Sequence, residues 1–416
     1  MTDSRPAWVR YAALYALAVI PRVAYAAWES KPFDGTYWAI ADGILRNGSL
    51  SIDGRLTTDF EPGYPLFIAA CRLVVGANAS AVQALQIAVA ALGALLLYRL
   101  TARLTGQTGA AALAAVIYAF DPLLIRQAVQ HSDASLTTVL LLAFTCLFVE
   151  STTTRRAAAA GAVLALAIST RAMTVPLVLA GASIWIASRR YRAALAFTLA
   201  ALAVAAPFAA RNVLVNGSWG PTRGGLNLFV GNHPYAAALM PAYDVDQLEA
   251  IANELVYTRA GAVPEGAGRE RIADRILTEE AIAYMTAAPL RTGAQKVRNV
   301  FYFFSPQLIP YRTGGSGVVV TSDGRVTVKD SEARPRAEVI LYTTFYSVLL
   351  AAAAAGAYLR RGQLRADAIL WCIVATFVAV HSVYFPATRY RGPMTFVLIF
   401  YAAAALARGY RWQRGQ

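Results

Sequence analysis

The chain has 416 residues, of which 57% are hydrophobic and only 15% charged, and its formal net charge is +14. Soluble domains carry about 25% charged residues, so these proportions exclude a soluble enzyme and imply a polytopic membrane protein. The basic residues cluster at the ends of apolar runs, which assigns the charge to membrane topology and not to nucleic acid.

Lys31, Lys296 and Lys329 are the only lysines, and arginine carries nearly all the positive charge. With its abundant alanine, this is the bias of a GC-rich bacterial genome. Cys71, Cys146 and Cys372 are scattered, with no CxxC spacing, so neither a disulfide framework nor a zinc cluster is expected.

About twenty apolar residues cross a bilayer. The first such run covers about residues 8–27. "AYAA" at 24–27 imitates a signal-peptidase site, but Pro21 and Arg22 inside the run favour an uncleaved helix. A loop follows, with "KPFDGTYWAIADGI" at 31–44 reading as a short surface helix behind Asp34. The run 63–77 is short and contains Arg72. If it lies at the outer surface, Arg99 and Arg103 at the end of the next helix fall inside, as the positive-inside rule requires.

Further spans are expected over about 82–104, 109–127, 134–150, 157–170, 172–188 and 193–210. The segment 211–336 then lies outside. Within it, "GRERIADRILTEEAIAYMTAAPLRTGAQKVRNVFYFF" reads as amphipathic helix ending near a membrane surface, with Ile272, Ile276 and Ala281 at helical spacing. "GVVVTSDGRVTVKD" reads as a hairpin around Asp-Gly. Three last spans cover about 337–359, 366–385 and 393–409.

The expectation is an all-α bundle of about ten spans in a bacterial cytoplasmic membrane, with both termini cytoplasmic. It divides into an N-terminal module (1–210) with its first outer loop at 28–80, an extracytoplasmic loop region (211–336), and C-terminal helices with a short tail (337–416).

This topology gathers polar residues on one side: Asp34 and Glu61 in the first loop, His131 and Asp133 in "QHSDASL", Arg171 at a turn, Arg211 and Asn212 after the seventh span, and Arg389 and Arg391 in "FPATRYRGP". Ionisable residues at membrane depth usually face a cavity or a partner. Each has a plain alternative. Asp34 and Asp133 could cap helices, Glu61 could end its loop before Pro62, His131 could be a polar boundary residue, Arg211 and Asn212 could anchor a boundary, and Arg389 and Arg391 could reach lipid phosphates.

Together they suit chemistry on an anionic, lipid-linked substrate. A sugar on a polyprenyl phosphate already carries a good leaving group. A carboxylate can take the proton of the attacking hydroxyl, and arginines can hold the departing phosphate. There is no P-loop and no GxGxxG between a strand and a helix. A transporter or lipid-linked-sugar flippase is the alternative, but it would place charges near the midplane of two related halves. An assembly partner without activity would tolerate loss of Asp34.

Several pieces occur in a familiar order: "FDGTYWAIADGILRNG", "EPGYPLFIAA", "QHSDASLTTVLLL", "ISTR", "APFAARNVLVNG", "GGLNLFVGN" and "RYRGP". Over most of its length the chain resembles the GT-C membrane glycosyltransferases. In particular it resembles bacterial proteins of glycosyltransferase family 39, the group of protein O-mannosyltransferases and lipid A aminoarabinose transferases. The resemblance implies a GT-C-type bundle and a polyprenyl-phosphate sugar donor, with a lipid, glycan or protein acceptor.

It also implies catalytic roles for Asp34 and Asp133. The substrate-binding candidates are Glu61, Tyr37, His131, Arg171, Arg211, Asn212, Arg389 and Arg391. Three positions depart from the family pattern. Gly35 stands where many relatives have a second acid, Glu61 where the aminoarabinose enzymes have a base, and Gly63 where they have a second proline. No cofactor is called for, and a divalent metal is left open.

Overall fold

The computed structural model describes residues 6–29 and 35–413. Helix α1 (Ala7–Trp28) contains Pro21 and the fully buried Arg22. A charge inside an apolar helix is tolerated because its N–H groups find oxygen. Arg22 donates to the carbonyls of Ala18, Tyr118 and Ala119 at 2.6, 3.3 and 3.2 Å.

Helix α2 (Thr36–Asn47) ends at Gly48, whose φ of 65° is the left-handed stop. A two-residue ladder of β1 (Ser51–Ile52) and β2 (Arg55–Leu56) follows. Helix α3 (Gly63–Val75) is about 20 Å long and packs on α2. Its Arg72 pairs with Asp42 at 2.6 Å and lies over the Trp38 ring.

Helix α4 (Ala79–Thr105) is capped by Asn78, whose side chain accepts from the Ala81 N–H, and it stops at Gly106. Helices α5 (Thr108–Phe120) and α6 (Pro122–Val129) occupy the single span expected over 109–127, but they meet at a 54° bend. Asp121 caps α6, accepting from the N–H groups of Leu123 and Leu124, and Pro122 begins the new helix.

Next come α7 (Ala134–Val149), α8 (Thr154–Thr170), α9 (Pro176–Ala187) and α10 (Tyr191–Asn216). Helices α8 and α10 pack closely, because a side chain at Gly161 would strike the Phe197 carbonyl.

The loop region holds α11 (Gly224–Asn232), α12 (Ala236–Leu239), α13 (Glu249–Ala260), α14 (Ala267–Ala287) and α15 (Pro289–Phe303). Pro289 breaks the long amphipathic pattern into α14 and α15. Ile276 and Ala281 are buried in α14 as the spacing requires, and Ile272 packs beside them. Their core also includes Phe229, Leu239, Val245 and Leu248.

The expected hairpin is present as β4 (Val318–Val320) against β5 (Val326–Val328). It is flanked by β3 (Arg312–Thr313) paired with β6 (Glu332–Ala333). Helices α16 (Arg336–Leu359), α17 (Ala368–Val383) and α18 (Thr395–Gln413) complete the bundle. α18 is its central helix, with Phe396, Val397, Ile399 and Phe400 fully buried.

Away from the loop region, Arg360 binds Asp367 through two hydrogen bonds of 2.8 and 2.6 Å, with both residues buried. Among the described residues, five helical segments are long and apolar enough to cross a membrane: 8–28, α4, α10, α16 and 388–408. The bent α5–α6 pair makes a sixth if it counts as one span. The other expected spans, over about 134–150, 157–170, 172–188 and 366–385, fall on helices of 16, 17, 12 and 16 residues. Helix length therefore supports a polytopic bundle without fixing the count at ten.

Candidate active site

Asp34, the first catalytic candidate, lies outside the described residues. Its bonded neighbour Gly35 holds the N-cap position of α2, with φ 117° and ψ −160°, a backbone conformation that favours glycine. A side chain built there would come within 3.7 Å of His131 Nδ1. The entry to α2 therefore sits against "QHSDASL".

Tyr37, one turn into α2, packs edge-on against Tyr64, Phe60 and His131, with ring centroids 4.9, 5.6 and 5.8 Å away. It faces this aromatic cluster. Burial, then the charges of Asp133 and Glu61, push its hydroxyl pKa well up.

Asp133 stands at the N-cap of α7 yet makes no capping bond. Its carboxylate turns to Arg171, which donates from Nε to Oδ2 at 2.8 Å and from Nη2 to Oδ1 at 2.9 Å. The capping alternative for Asp133 is thus not what the structure contains. Arg171 leaves α8 in an extended conformation and lies over the Tyr390 ring at 5.8 Å. Its Nη1 is buried with no hydrogen-bond partner among the described residues.

Glu61 accepts the N–H of Ala172 at 3.0 Å, one residue past Arg171. Gly63 makes this possible. A Cβ there would lie 2.6 Å from both the carbonyl oxygen and the hydroxyl of Ser169, so only glycine lets α3 close on the end of α8. Burial raises the Glu61 carboxyl pKa, the Ala172 N–H opposes that rise, and the Asp133 charge adds to it.

The remaining arginine candidates have other partners. Arg211 donates to the carbonyls of Thr57 and Leu50 at 2.7 and 3.0 Å and to the Asn212 side chain at 3.0 Å. Arg211, steadied by the Asn212 side chain, therefore fastens the first loop. Arg389 bridges Asp244 and Asp246 at 2.6 Å each. Arg391 is buried, donating to the carbonyls of Phe303 and Ser305 at 2.7 and 2.6 Å and lying over the Tyr346 ring.

So the structure brings Tyr37, Glu61, His131, Asp133 and Arg171 together. Arg389 stands beside this group through Tyr390, to which its Nη2 donates, whereas Arg211, Asn212 and Arg391 serve the frame.

Three residues that the sequence did not single out complete the surroundings. Arg223 lies over the Phe60 ring at 5.4 Å and makes only long contacts of 3.3 and 3.4 Å to Glu249. Glu270 of α14 accepts from Thr57 Oγ1 and the Thr58 N–H, both at 2.6 Å. Asp59 accepts from Thr222 Oγ1 at 2.8 Å, and burial together with the Glu270 charge lifts its pKa to about 6. The partners of Glu270 and Asp59 lie too far along the chain for any local pattern to show them. Among the described residues no three His, Cys, Asp or Glu side chains converge as a metal site.

The chain is an all-α membrane bundle with acids and arginines gathered where the loop region meets the helices. Residues 59–213, which include Glu61, His131, Asp133 and Arg171, match the dolichyl-phosphate-mannose-protein mannosyltransferase family.

Over 98% of its length the chain has the fold of the oligosaccharyltransferase AglB from Archaeoglobus fulgidus, a structure in complex with an inhibitory peptide and a dolichol-phosphate. The TM-score is 0.52 at 14% identity, and 51% of that chain is covered. The apo oligosaccharyltransferase of the same organism gives a TM-score of 0.52 at 15% identity, with 96% and 50% of the two chains covered. The chain thus spans about half the length of these archaeal proteins. ArnT from Cupriavidus metallidurans in the apo state gives a TM-score of 0.42 at 13% identity, covering 96% of this chain and 78% of that one. No curated protein matches the sequence significantly. The chain thus shares its fold, at low sequence identity, with these archaeal oligosaccharyltransferases, and part of it, residues 59–213, is similar to the mannosyltransferase family.

Proposed function

We propose that the protein is an inverting glycosyltransferase that moves a sugar from a polyprenyl-phosphate donor to a lipid, glycan or protein acceptor. The reaction takes place at the outer face of the cytoplasmic membrane, with about ten spans and both termini inside. The observation that carries this reading is the Asp133–Arg171 pair. Two nitrogens of the guanidinium are fixed by one carboxylate while Nη1 stays buried with no hydrogen-bond partner among the described residues. A fixed cation with a spare donor is suited to the oxygen of a departing phosphate.

In this reading Asp34 takes the proton of the acceptor hydroxyl as that oxygen bonds to the anomeric carbon. The bond from that carbon to the phosphate oxygen breaks with its electron pair on oxygen, releasing polyprenyl phosphate. Attack from the face opposite the leaving group inverts the anomeric centre. Asp133 positions Arg171, Arg223 adds positive charge across Phe60, and Tyr37 and His131 line the approach.

The test begins with mass spectrometry of envelope glycans and glycolipids with and without the gene, which names sugar and acceptor. Purified protein in lipid nanodiscs is then assayed for polyprenyl-phosphate release. Asp34→Asn is expected to fold normally and to abolish release. Full activity in that variant would remove Asp34 from catalysis, and retention of configuration in the product would overturn inversion.

A further inference from the structure

A cavity of about 210 Å³ lies within the loop region, between α11, α13 and α14. It shares no residue with the Asp133–Arg171 group. Its walls include Phe229, His233, Ile251, Leu255, Glu280 and Tyr284. Pockets for drug-sized ligands run to about 300–1,000 Å³, so this one has room for a single ring and not for an oligosaccharide.

Three aromatic side chains contribute to it. The Phe229 and His233 rings lie 5.1 Å apart, and Tyr284 stands on α14 one turn beyond Glu280. Such rings present flat apolar surfaces that suit the C–H face of a saturated ring.

The polar groups suit its hydroxyls. His233 Nδ1 accepts the Tyr235 N–H at 3.2 Å, so the neutral ring carries its proton on Nε2 and offers a donor there. Burial lowers the His233 pKa, which favours that neutral form, against the pull of Glu280. Glu280 supplies carboxylate acceptors, and Arg259 pairs with it. The Tyr284 hydroxyl is shut from solvent and has no hydrogen-bond partner among the described residues. An orphaned hydroxyl costs stability that a polar ligand would relieve.

We infer that this cavity binds one pyranose residue, held by the aromatic walls and by the Glu280 carboxylate, at a site separate from the transfer centre. Assigning that residue to a glycan acceptor rests on the transferase reading, whereas the binding itself does not.

Saturation-transfer-difference NMR on the full-length protein in nanodiscs tests it, with methyl hexopyranosides as probes and an open-chain hexitol as control. The expected result is saturation of the pyranoside ring C–H protons and none of the hexitol. Leu255→Trp, which fills the cavity, should abolish the signal. Glu280→Gln should weaken binding about tenfold, as loss of a charge-assisted hydrogen bond does. Unchanged melting temperatures would verify folding. A pyranoside signal no stronger than the hexitol's, or one undiminished in Leu255→Trp, would overturn the inference. Asp34→Asn should keep pyranoside binding here while losing transfer, so failure of one reading is read apart from failure of the other.

Discussion

Asp133 and Arg171 are 38 positions apart in sequence, yet they face each other through two nearly parallel hydrogen bonds at the end of the bundle where the loop region sits. Both side chains are largely buried, at 11% and 15% exposure. The pair fixes where α7 begins relative to where α8 ends, and it aims the guanidinium.

Removing one partner of a buried ion pair leaves an uncompensated charge and costs about 3–5 kcal/mol. Asp133→Ala should therefore lower the unfolding midpoint clearly. Arg171→Lys keeps the charge but loses the fork geometry. It should fold, and it should release polyprenyl phosphate about a hundredfold more slowly, in the range seen when one preorganised donor is lost. Wild-type turnover in Arg171→Lys would show that the guanidinium does not touch the transition state.

Gly63 controls Glu61 by permitting contact. A methyl group at position 63 would sit 2.6 Å from the Ser169 carbonyl oxygen and 2.7 Å from its carbonyl carbon, backbone atoms that cannot swing away. Gly63→Ala should displace α3 from α8, cost about 1–3 kcal/mol by overpacking, and pull Glu61 away from the Ala172 N–H. A thermal melt measures the first effect and donor turnover the second. If Gly63→Ala matches wild type in both, the close approach has no consequence.

Much of the bundle was legible in the sequence because apolar length and basic loop ends are strong signals. The helix starts and stops fell near their expected places for that reason. The bend at Asp121 was not anticipated, although Asp-Pro is itself a helix-start signature; the apolar run on either side concealed it. Within the site, "QHSDASL" marked a charged turn, but the sequence left Asp133 open between a catalytic carboxylate and a helix cap, because its partner Arg171 stands on another helix. Arg211 looked like a phosphate ligand for a similar reason. Its acceptors are the backbone carbonyls of Leu50 and Thr57, more than 150 positions upstream, and carbonyl groups leave no mark in a sequence.

Arg211 therefore yields a prediction that separates a frame residue from a substrate residue. Arg211→Ala should speed amide hydrogen exchange in residues 50–58, which Glu270 also holds, and should reduce turnover without changing how donor concentration enters the rate. A raised KM for donor, with exchange in 50–58 unchanged, would return Arg211 to the phosphate.

Sidedness is testable at Asp323, an exposed turn residue of the β4–β5 hairpin. Asp323→Cys should react with a membrane-impermeant maleimide added to intact cells. Cys71 and Cys146 are buried and should stay silent. Labelling only after lysis would reverse the proposed orientation of the whole loop region.

Asp59 gives a pH dependence whose sign is fixed. Burial and then the neighbouring Glu270 charge raise its pKa from 3.8 to about 6. Between those two values the folded protein binds more protons at this site than the unfolded chain does, so stability falls as the pH rises through that window. A shift of this size corresponds to about 3 kcal/mol as an upper figure. Above pH 6 the folded loop carries two facing carboxylates, Asp59 and Glu270, and the destabilisation is complete. The melting temperature should therefore increase as the pH is lowered from 7.5 towards 5. Asp59→Asn keeps an oxygen to accept the Thr222 hydroxyl and removes the charge. It should be more stable than wild type at pH 7.5, and the difference should shrink by pH 5. A series of melts across this range decides the matter. If Asp59→Asn is the less stable protein at pH 7.5, the carboxylate is a net stabiliser of the loop, and the repulsion from Glu270 is outweighed by the bond from Thr222.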